Sequence, residues 1–197
     1  MISLAEKYCL KILTTTRCSQ LPFHNIKHTM EVVANIQVIG ENLKMSKAEL
    51  EPIKIAGWFH DVGFCETYKG HEDVSIIMAR EFLLKHCYDF DLTEMVVSCI
   101  LATKMPQNPT NKYAEIISDA DIFHIGTDAF FYRKLLLRRE WELEFNKTST
   151  DLEWHLLNLK FLQGHKFFTS YGKSILMQGQ NKNEERVKNL ISLYSQI

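Results

Sequence analysis

A histidine and an aspartate stand side by side at the end of an apolar stretch of the sequence. His60 and Asp61 follow the run IKIAGWF and are followed within two residues by a glycine. An imidazole nitrogen beside a carboxylate oxygen suits first-row transition metals and does not exclude magnesium. Taken alone, such a pair is more often an ordinary polar helix end. A metal site therefore requires further donors from elsewhere in the chain.

Two other segments supply donors of the same kind. Upstream, HNIKHT carries His28 at the start of a predicted helix, and downstream, SDAD carries Asp119 and Asp121 at the predicted opening of another. Carboxylates that follow apolar residues are costly to bury unless a cation or hydrogen bonds compensate their charge. Three helices can therefore bring His28, the pair His60–Asp61 and an aspartate to one point.

The elements that must position these donors are predicted to be helices. Apolar residues recur at spacings of three and four, as over residues 32–39, and strand-like alternation is scarce. Ser46 and Glu49 form a capping-box pattern, and Thr93 is a candidate cap for a later helix. The sequence predicts one all-α domain of about seven to nine helices.

No long linker interrupts this domain, since the best candidate, residues 106–112, is short. We expect a single domain over residues 1–197, with the chemical motifs in a core at 24–126. The C-terminal region, 127–197, includes an amphipathic last helix that is predicted to pack on that core. A partner helix, as in a homodimer, is the alternative occupant of the same apolar face.

Composition excludes several classes of function. With 23 basic and 24 acidic residues, the net charge of −1 argues against an extended nucleic-acid surface. No apolar run approaches the roughly 20 residues that span a membrane, and the N-terminus lacks the pattern of a signal peptide, so a cytoplasmic location is expected. The five cysteines are scattered without a C-x-x-C pair, which indicates neither a disulfide framework nor a thiolate zinc site.

The order of these motifs resembles the HD-domain superfamily of metal-dependent phosphohydrolases. HNIKHT is similar to its first-histidine motif, AGWFHDVGF to the HD motif, and GHEDVS at 70–75 to the H-E-x-x-S segment that follows. ATKMPQNP at 102–109 and EIISDADIFHIG at 115–126 resemble the later motifs of a bacterial subgroup of small, single-domain members. The chain departs from that subgroup at Phe123, in place of an acidic residue, and at Thr127, in place of an arginine.

The resemblance implies an all-α HD fold with a metal at the centre of its helical bundle. The implied ligands are the following: His28, His60, Asp61 and Asp121. Asp121 is chosen because the family's ligand follows an alanine, and Asp119 is the alternative, with a role in orienting a ligand or a water. One divalent ion (Mn, Mg, Co, Ni, Fe or Zn) is expected, and a second metal is an option.

The resemblance also suggests roles for neighbouring side chains. Glu72 is the candidate general acid or base, with Asp61 as a second proton acceptor. His71 is the candidate hydrogen-bond donor to phosphate or proton shuttle. The alternative is that these residues only form a helix N-terminus. Lys104, before a proline-bounded loop, can offer positive charge to a phosphate, or else is a solvated lysine. His24 and Arg133 complete the predicted substrate contacts, although Arg133 also fits a charged outer face.

The implied reaction is hydrolysis of a phosphate mono- or diester by a metal-activated water. A nucleotide or a related small phosphorylated molecule is the expected substrate. Two alternatives remain open at this stage. One is a non-catalytic regulatory module that holds a nucleotide at the same metal site, and the other is an iron-dependent oxygenase, for which His71 is the one suitably placed additional ligand.

Overall fold

The computed structural model describes residues 1–194, and these residues form helices joined by short loops. Nine α-helices occur in this range: α1 (Ile2–Thr15), α2 (Ile26–Asn42), α3 (Lys47–Phe59), α4 (His71–Lys85), α5 (Phe90–Ala102), α6 (Lys112–Asp121), α7 (Phe130–Phe145), α8 (Asp151–Gly164) and α9 (Met177–Tyr194). Short 3-10 or π-helical turns lie between some of them: Arg17–Gln20, Val62–Cys65, Phe123–Gly126 and Gly172–Leu176. No strand is found within residues 1–194, and the predicted all-α fold is confirmed.

The chain divides into two compact units. The first, Met1–Asp121, contains α1 to α6, and the second begins at Ile122 and contains α7 to α9. The linker candidate at 106–112 lies inside the first unit, where it joins α5 to α6. A single domain with the C-terminal region packed on the motif core stays a prediction, and residues 195–197 lie outside the described range.

The first unit is built around a core of aliphatic and aromatic side chains. Apart from Phe64, which lies in the Val62–Cys65 turn, its largest fully buried members come from the helices α1 to α6: Leu13, Ile36, Ile39, Ile53, Ile55, Phe59, Leu83, Ile100, Ile116 and Ile117. These residues recur at helical spacing, so each helix turns one apolar stripe inward. Because α3 and α6 each end beside residues of this core, the polar groups at their C-terminal ends are held in low-dielectric surroundings.

Side-chain caps begin three helices of the first unit, α2, α3 and α5. The predicted capping box is confirmed: Ser46 Oγ accepts from the Glu49 amide at 3.3 Å, and the Glu49 carboxylate accepts from the Ser46 amide at 3.0 Å. The prediction that Thr93 is a cap is wrong. Asp89 caps α5 by accepting from the Leu92 amide at 3.0 Å, and Thr93 lies inside the helix. An aspartate one turn earlier makes a good cap by itself.

The second unit has its own small core. Its buried residues are the following: Ile122, Ile125, Phe130, Leu162, Phe167, Leu176 and Val187. The turn at Phe123–Gly126 approaches α9 so closely that a Cβ on Gly179 would lie 1.9 Å from the Gly126 carbonyl oxygen. Across residues 1–194, no helix has both the length and the apolar character needed to cross a membrane.

Replacement of a core isoleucine tests this packing. Ile53 in α3 is fully buried, and Ile53→Ala is expected to lower the free energy of unfolding by about 3 kcal/mol, because the lost methyl groups leave a cavity. Urea unfolding followed by circular dichroism measures the change. Val38→Ala in α2, where the side chain is 42% exposed, is the control and should change stability by less than about 1 kcal/mol. Equal losses in both variants would contradict the assigned core.

Candidate metal centre

Four polar side chains meet at three helix ends in the first unit. His28 lies in the first turn of α2, His60 and Asp61 follow the last residue of α3, and Asp121 is the last residue of α6. The expectation that SDAD opens a helix is wrong, since these residues close α6. The apolar residues Ile116 and Ile117 belong to the same helix, so the buried face of α6 carries Asp121 to the core.

The ring nitrogens and one carboxylate oxygen have the spacing of metal ligands. His28 Nε2 lies 3.1 Å from Asp121 Oδ1 and 3.4 Å from His60 Nε2, and His60 Nε2 lies 3.7 Å from Asp121 Oδ1. Three atoms spaced in this way can all lie about 2.1 Å from one ion, which is the length of ordinary metal–nitrogen and metal–oxygen bonds. His28, His60 and Asp121 thus form a group that could hold a metal ion.

Asp61 adds a second carboxylate at the same place. Its Oδ2 lies 3.4 Å from His28 Nε2 and 3.2 Å from His60 Nε2. That oxygen is buried, and within residues 1–194 it accepts no hydrogen bond. A buried carboxylate oxygen without a donor is costly, whereas a cation would compensate it. Two imidazoles and two carboxylates, one of them with this uncompensated oxygen, therefore fit a divalent cation.

Backbone carbonyls orient two of the histidine rings. His60 Nδ1 donates to the Gly57 carbonyl oxygen at 2.9 Å, and His71 Nδ1 donates to the Tyr68 carbonyl oxygen at 3.1 Å. A carbonyl oxygen only accepts, so each Nδ1 carries the hydrogen and each Nε2 keeps its lone pair in the neutral ring. The free lone pair of His60 Nε2 faces the cluster, as a metal ligand requires.

The electrostatics of the cluster favour positive charge between the side chains. Burial lowers the pKa of His28. At His60 burial acts in the same direction, but the adjacent Asp61 and Asp121 outweigh it and raise the pKa. At Asp61 burial is outweighed by His60, and at Asp121 by His28 and His60, so the pKa of each carboxyl lies below its usual range. A proton or a metal cation satisfies this arrangement, and the two compete for it.

Asn25 fixes the helix start that carries His28. Its Oδ1 accepts from the amides of Lys27 at 2.9 Å and His28 at 3.4 Å. Its Nδ2 donates to the carbonyl oxygens of Leu21 and Pro22. The side chain thus binds the preceding loop to the first turn of α2, and the His28 backbone is held on both sides.

The turn after Asp61 is packed directly on the start of α4. The Gly63 amide donates to Ser75 Oγ at 2.9 Å, and a Cβ on Gly63 would lie 2.0 Å from the His71 carbonyl oxygen. This close approach leaves His71 Nε2 3.5 Å from Asp61 Oδ1, the carboxylate oxygen not directed at the other two histidines. Asp61 therefore has a histidine near each of its oxygens.

The other predicted site residues have different surroundings. Glu72 is only 8% exposed, and its Oε2 lies 3.6 Å from His71 Nδ1. His24 is half-buried and stacks on Phe64, with ring centroids 4.3 Å apart, and Phe64 stacks in turn on His71 at 3.7 Å. The structure thus places Glu72 and His24 close to His71, at the edge of the cluster.

Three residues that the sequence suggested for the site lie outside the cluster of His28, His60, Asp61 and Asp121. Lys104 Nζ is 3.3 Å from Asp73 Oδ2 in an exposed ion pair. Arg133 belongs to the second unit, where it is buried. Asp119 is fully buried in α6, and the metal-spaced group includes Asp121 in its place. Roles for Lys104 and Arg133 in substrate binding remain predictions.

Gln107 has no role predicted from the sequence but contacts the cluster. Its Nε2 donates to Asp121 Oδ2 at 3.4 Å and to the Ser118 carbonyl oxygen at 3.1 Å. The residue lies within ATKMPQNP, one of the segments that carry the family resemblance. A glutamine side chain is uncharged and is not a typical metal ligand, so the residue type by itself did not indicate a role at this site.

Comparison with known proteins assigns the family. The HD-domain family model matches residues 25–126, and the chain belongs to this family. The crystal structure of a predicted HD superfamily hydrolase from an uncultured Thermotogales bacterium has the same fold, with a TM-score of 0.59 and 18% sequence identity. The match covers 95% of this chain and 92% of that chain. No match was found among curated proteins. The resemblance drawn from the motifs is confirmed.

Alanine at Gly63 tests the packing that brings His71 to Asp61. Gly63→Ala is expected to lower the free energy of unfolding by about 1–3 kcal/mol, because the new Cβ collides with the backbone of α4. Gly164→Ala is the matched control, since a Cβ there meets no atom within 4 Å. It should leave stability unchanged or raise it by up to about 1 kcal/mol. Thermal unfolding of both variants measures these changes. A Gly63→Ala protein as stable as the wild type would refute the close approach of this turn to α4.

Proposed function

We propose that this protein is a metal-dependent phosphohydrolase that cleaves a phosphate mono- or diester. The observation that carries the proposal is the convergence of two histidines and two aspartates on one buried point. Membership of the HD-domain family supports it, since HD domains bind divalent metals. The Thermotogales protein of similar fold, described as a predicted HD superfamily hydrolase, supports the same class of reaction.

In this proposal the metal is held by the following residues: His28, His60, Asp61 and Asp121. A divalent cation bound there would lower the pKa of a bound water and withdraw charge from a phosphoryl oxygen. The protein supplies the rest of the chemistry through the side chains around the cluster. His28, His60 and Asp61 are buried, and their low-dielectric surroundings strengthen each electrostatic interaction in the cluster.

Glu72 and His71 are the proposed proton-transfer residues. Glu72 is nearly buried beside His71, and His71 Nε2 faces Asp61 Oδ1. In the proposed reaction Glu72 accepts the proton of the attacking water, and His71 donates a hydrogen bond to a phosphate oxygen or passes a proton to the leaving group. Burial opposes the charged form of His71, but the Asp61 carboxylate outweighs this and raises its pKa, which favours the protonated ring that this role requires.

A nucleotide or another small phosphorylated molecule is the proposed substrate. Lys104 lies at the protein surface in an ion pair with Asp73, and exposed pairs of this kind are weak. A phosphate can therefore take the place of Asp73 as the partner of Lys104. His24 is the proposed second contact, and its stacking beside Phe64 near His71 supports this role.

A two-metal centre is the second candidate, and one observation favours it. His71 Nε2 and Asp61 Oδ1 form a nitrogen–oxygen pair 3.5 Å apart on the other side of the Asp61 carboxylate. A second metal ion bound by this pair would give the two-metal site that the alternative function, an iron-dependent oxygenase, requires. Metal analysis of purified protein gives the stoichiometry, and dioxygen consumption by an iron-loaded sample separates oxidation from hydrolysis.

Loss of a ligand carboxylate tests the metal centre. Asp61→Asn keeps the shape of the side chain but removes its charge, and we expect it to abolish metal-dependent hydrolysis and metal-induced stabilisation. For the wild type, metal at 100 times its Kd should add about 2.7 kcal/mol to the free energy of unfolding. Thermal unfolding with and without Mn²⁺ and a screen of nucleotides and phosphoesters are the measurements.

The control for this substitution is Asp73→Asn, because Asp73 is an exposed aspartate on α4. Metal should still stabilise this variant. Full turnover by Asp61→Asn would overturn the proposed centre. Tight nucleotide binding by the wild type without turnover over several metals would instead establish the regulatory module.

A separate substitution tests the proton acceptor. Glu72→Gln is expected to lower kcat by about 10²–10⁴-fold without changing metal affinity, because the amide cannot accept the proton. Steady-state kinetics and a metal titration measure the two quantities. Glu81→Gln, an exposed residue of the same helix, serves for comparison. A Glu72→Gln protein with normal kcat would remove Glu72 from the mechanism.

A further inference from the structure

Gln107 makes two hydrogen bonds that link a loop to the metal centre. It lies in the segment between α5 and α6, and its side-chain Nε2 donates to the Ser118 carbonyl oxygen at 3.1 Å and to Asp121 Oδ2 at 3.4 Å. A primary amide has two hydrogens on its nitrogen, and both are used here. One bond anchors the amide to the backbone of α6, and the other reaches the carboxylate one turn later on the same helix.

The orientation of this amide is determined by its partners. Both neighbouring atoms, the Ser118 carbonyl oxygen and the Asp121 carboxylate oxygen, can only accept hydrogen bonds. A flipped amide would direct Oε1 at two acceptors and lose both bonds. Nε2 is therefore the atom that faces Asp121.

The two oxygens of Asp121 consequently have different surroundings. Oδ1 lies 3.1 Å from His28 Nε2 and 3.7 Å from His60 Nε2, whereas Oδ2 accepts from Gln107. A carboxylate that is hydrogen-bonded at one oxygen cannot rotate freely about its Cβ–Cγ bond. Polar groups behind metal ligands orient them in this way and have a measurable effect on metal affinity.

We propose that Gln107 is a positioning residue that holds the Asp121 carboxylate with Oδ1 directed at the metal. The proposal rests on the proposed function only in its assumption that the cluster binds a divalent cation. Gln107 acts through Asp121 and takes no part in proton transfer. Replacement of Gln107 should therefore change the metal affinity and the coordination geometry more than the rate of the catalysed step.

Gln107→Leu is the principal test, because leucine has a similar volume and no donor. We expect the dissociation constant for Mn²⁺, measured by calorimetry, to rise by about 10–100-fold. The visible absorption spectrum of the Co²⁺ form should also change, since it depends on the number and arrangement of the ligands. Asn108→Leu alters the adjacent, exposed amide and should leave both readouts as in the wild type.

Three outcomes are distinguishable. Failure of the wild type to bind Mn²⁺ or Co²⁺ would refute the metal centre itself. Wild-type binding with an unchanged affinity and Co²⁺ spectrum in Gln107→Leu would overturn the role of Gln107 and leave the proposed function intact. If Gln107→Leu does not fold in the absence of metal, Gln107→Met, which keeps the unbranched chain without the donor, takes its place and must show the same weakened binding.

Discussion

The structure of the first unit depends on the burial of two carboxylates against two imidazoles. Asp61 and Asp121 lie within 3.1–3.7 Å of the His28 and His60 ring nitrogens, in surroundings from which water is largely excluded. Burial on its own would disfavour the charged forms of all four groups. Only a positive charge held among them makes the arrangement favourable, and a divalent cation supplies more of it than a proton does.

The surrounding residues keep this cluster from relaxing. Asn25 holds the first turn of α2, the Gly57 carbonyl orients the His60 ring, and Gly63 allows α4 to approach the turn after Asp61. Each support comes from backbone or from a short polar side chain with few rotamers. Such groups lose little conformational entropy when they are fixed, so they can hold the ligands before any metal binds.

Much of this was predictable from local sequence, because local sequence determines helix periodicity and caps. The Ser46–Glu49 capping box was predicted correctly. The errors concern polar residues near helix ends. Thr93 was predicted to be a cap but lies inside α5, and SDAD was assigned to the wrong end of its helix. Asp89 caps α5 through a local hydrogen bond, whereas the buried residues Ile116 and Ile117 belong to the helix that SDAD closes.

The sequence by itself determined the all-α class and the family and predicted four candidate donors, since these depend on residue type, order and spacing. Tertiary structure alone decided which atoms meet. It brought Asp121 Oδ1 to the histidines, gave Asp61 a histidine near each oxygen, and placed Gln107 behind Asp121. The physical reason is distance along the chain: His28 and Asp121 are 93 residues apart, and only the packing of α2 against α6 makes them neighbours.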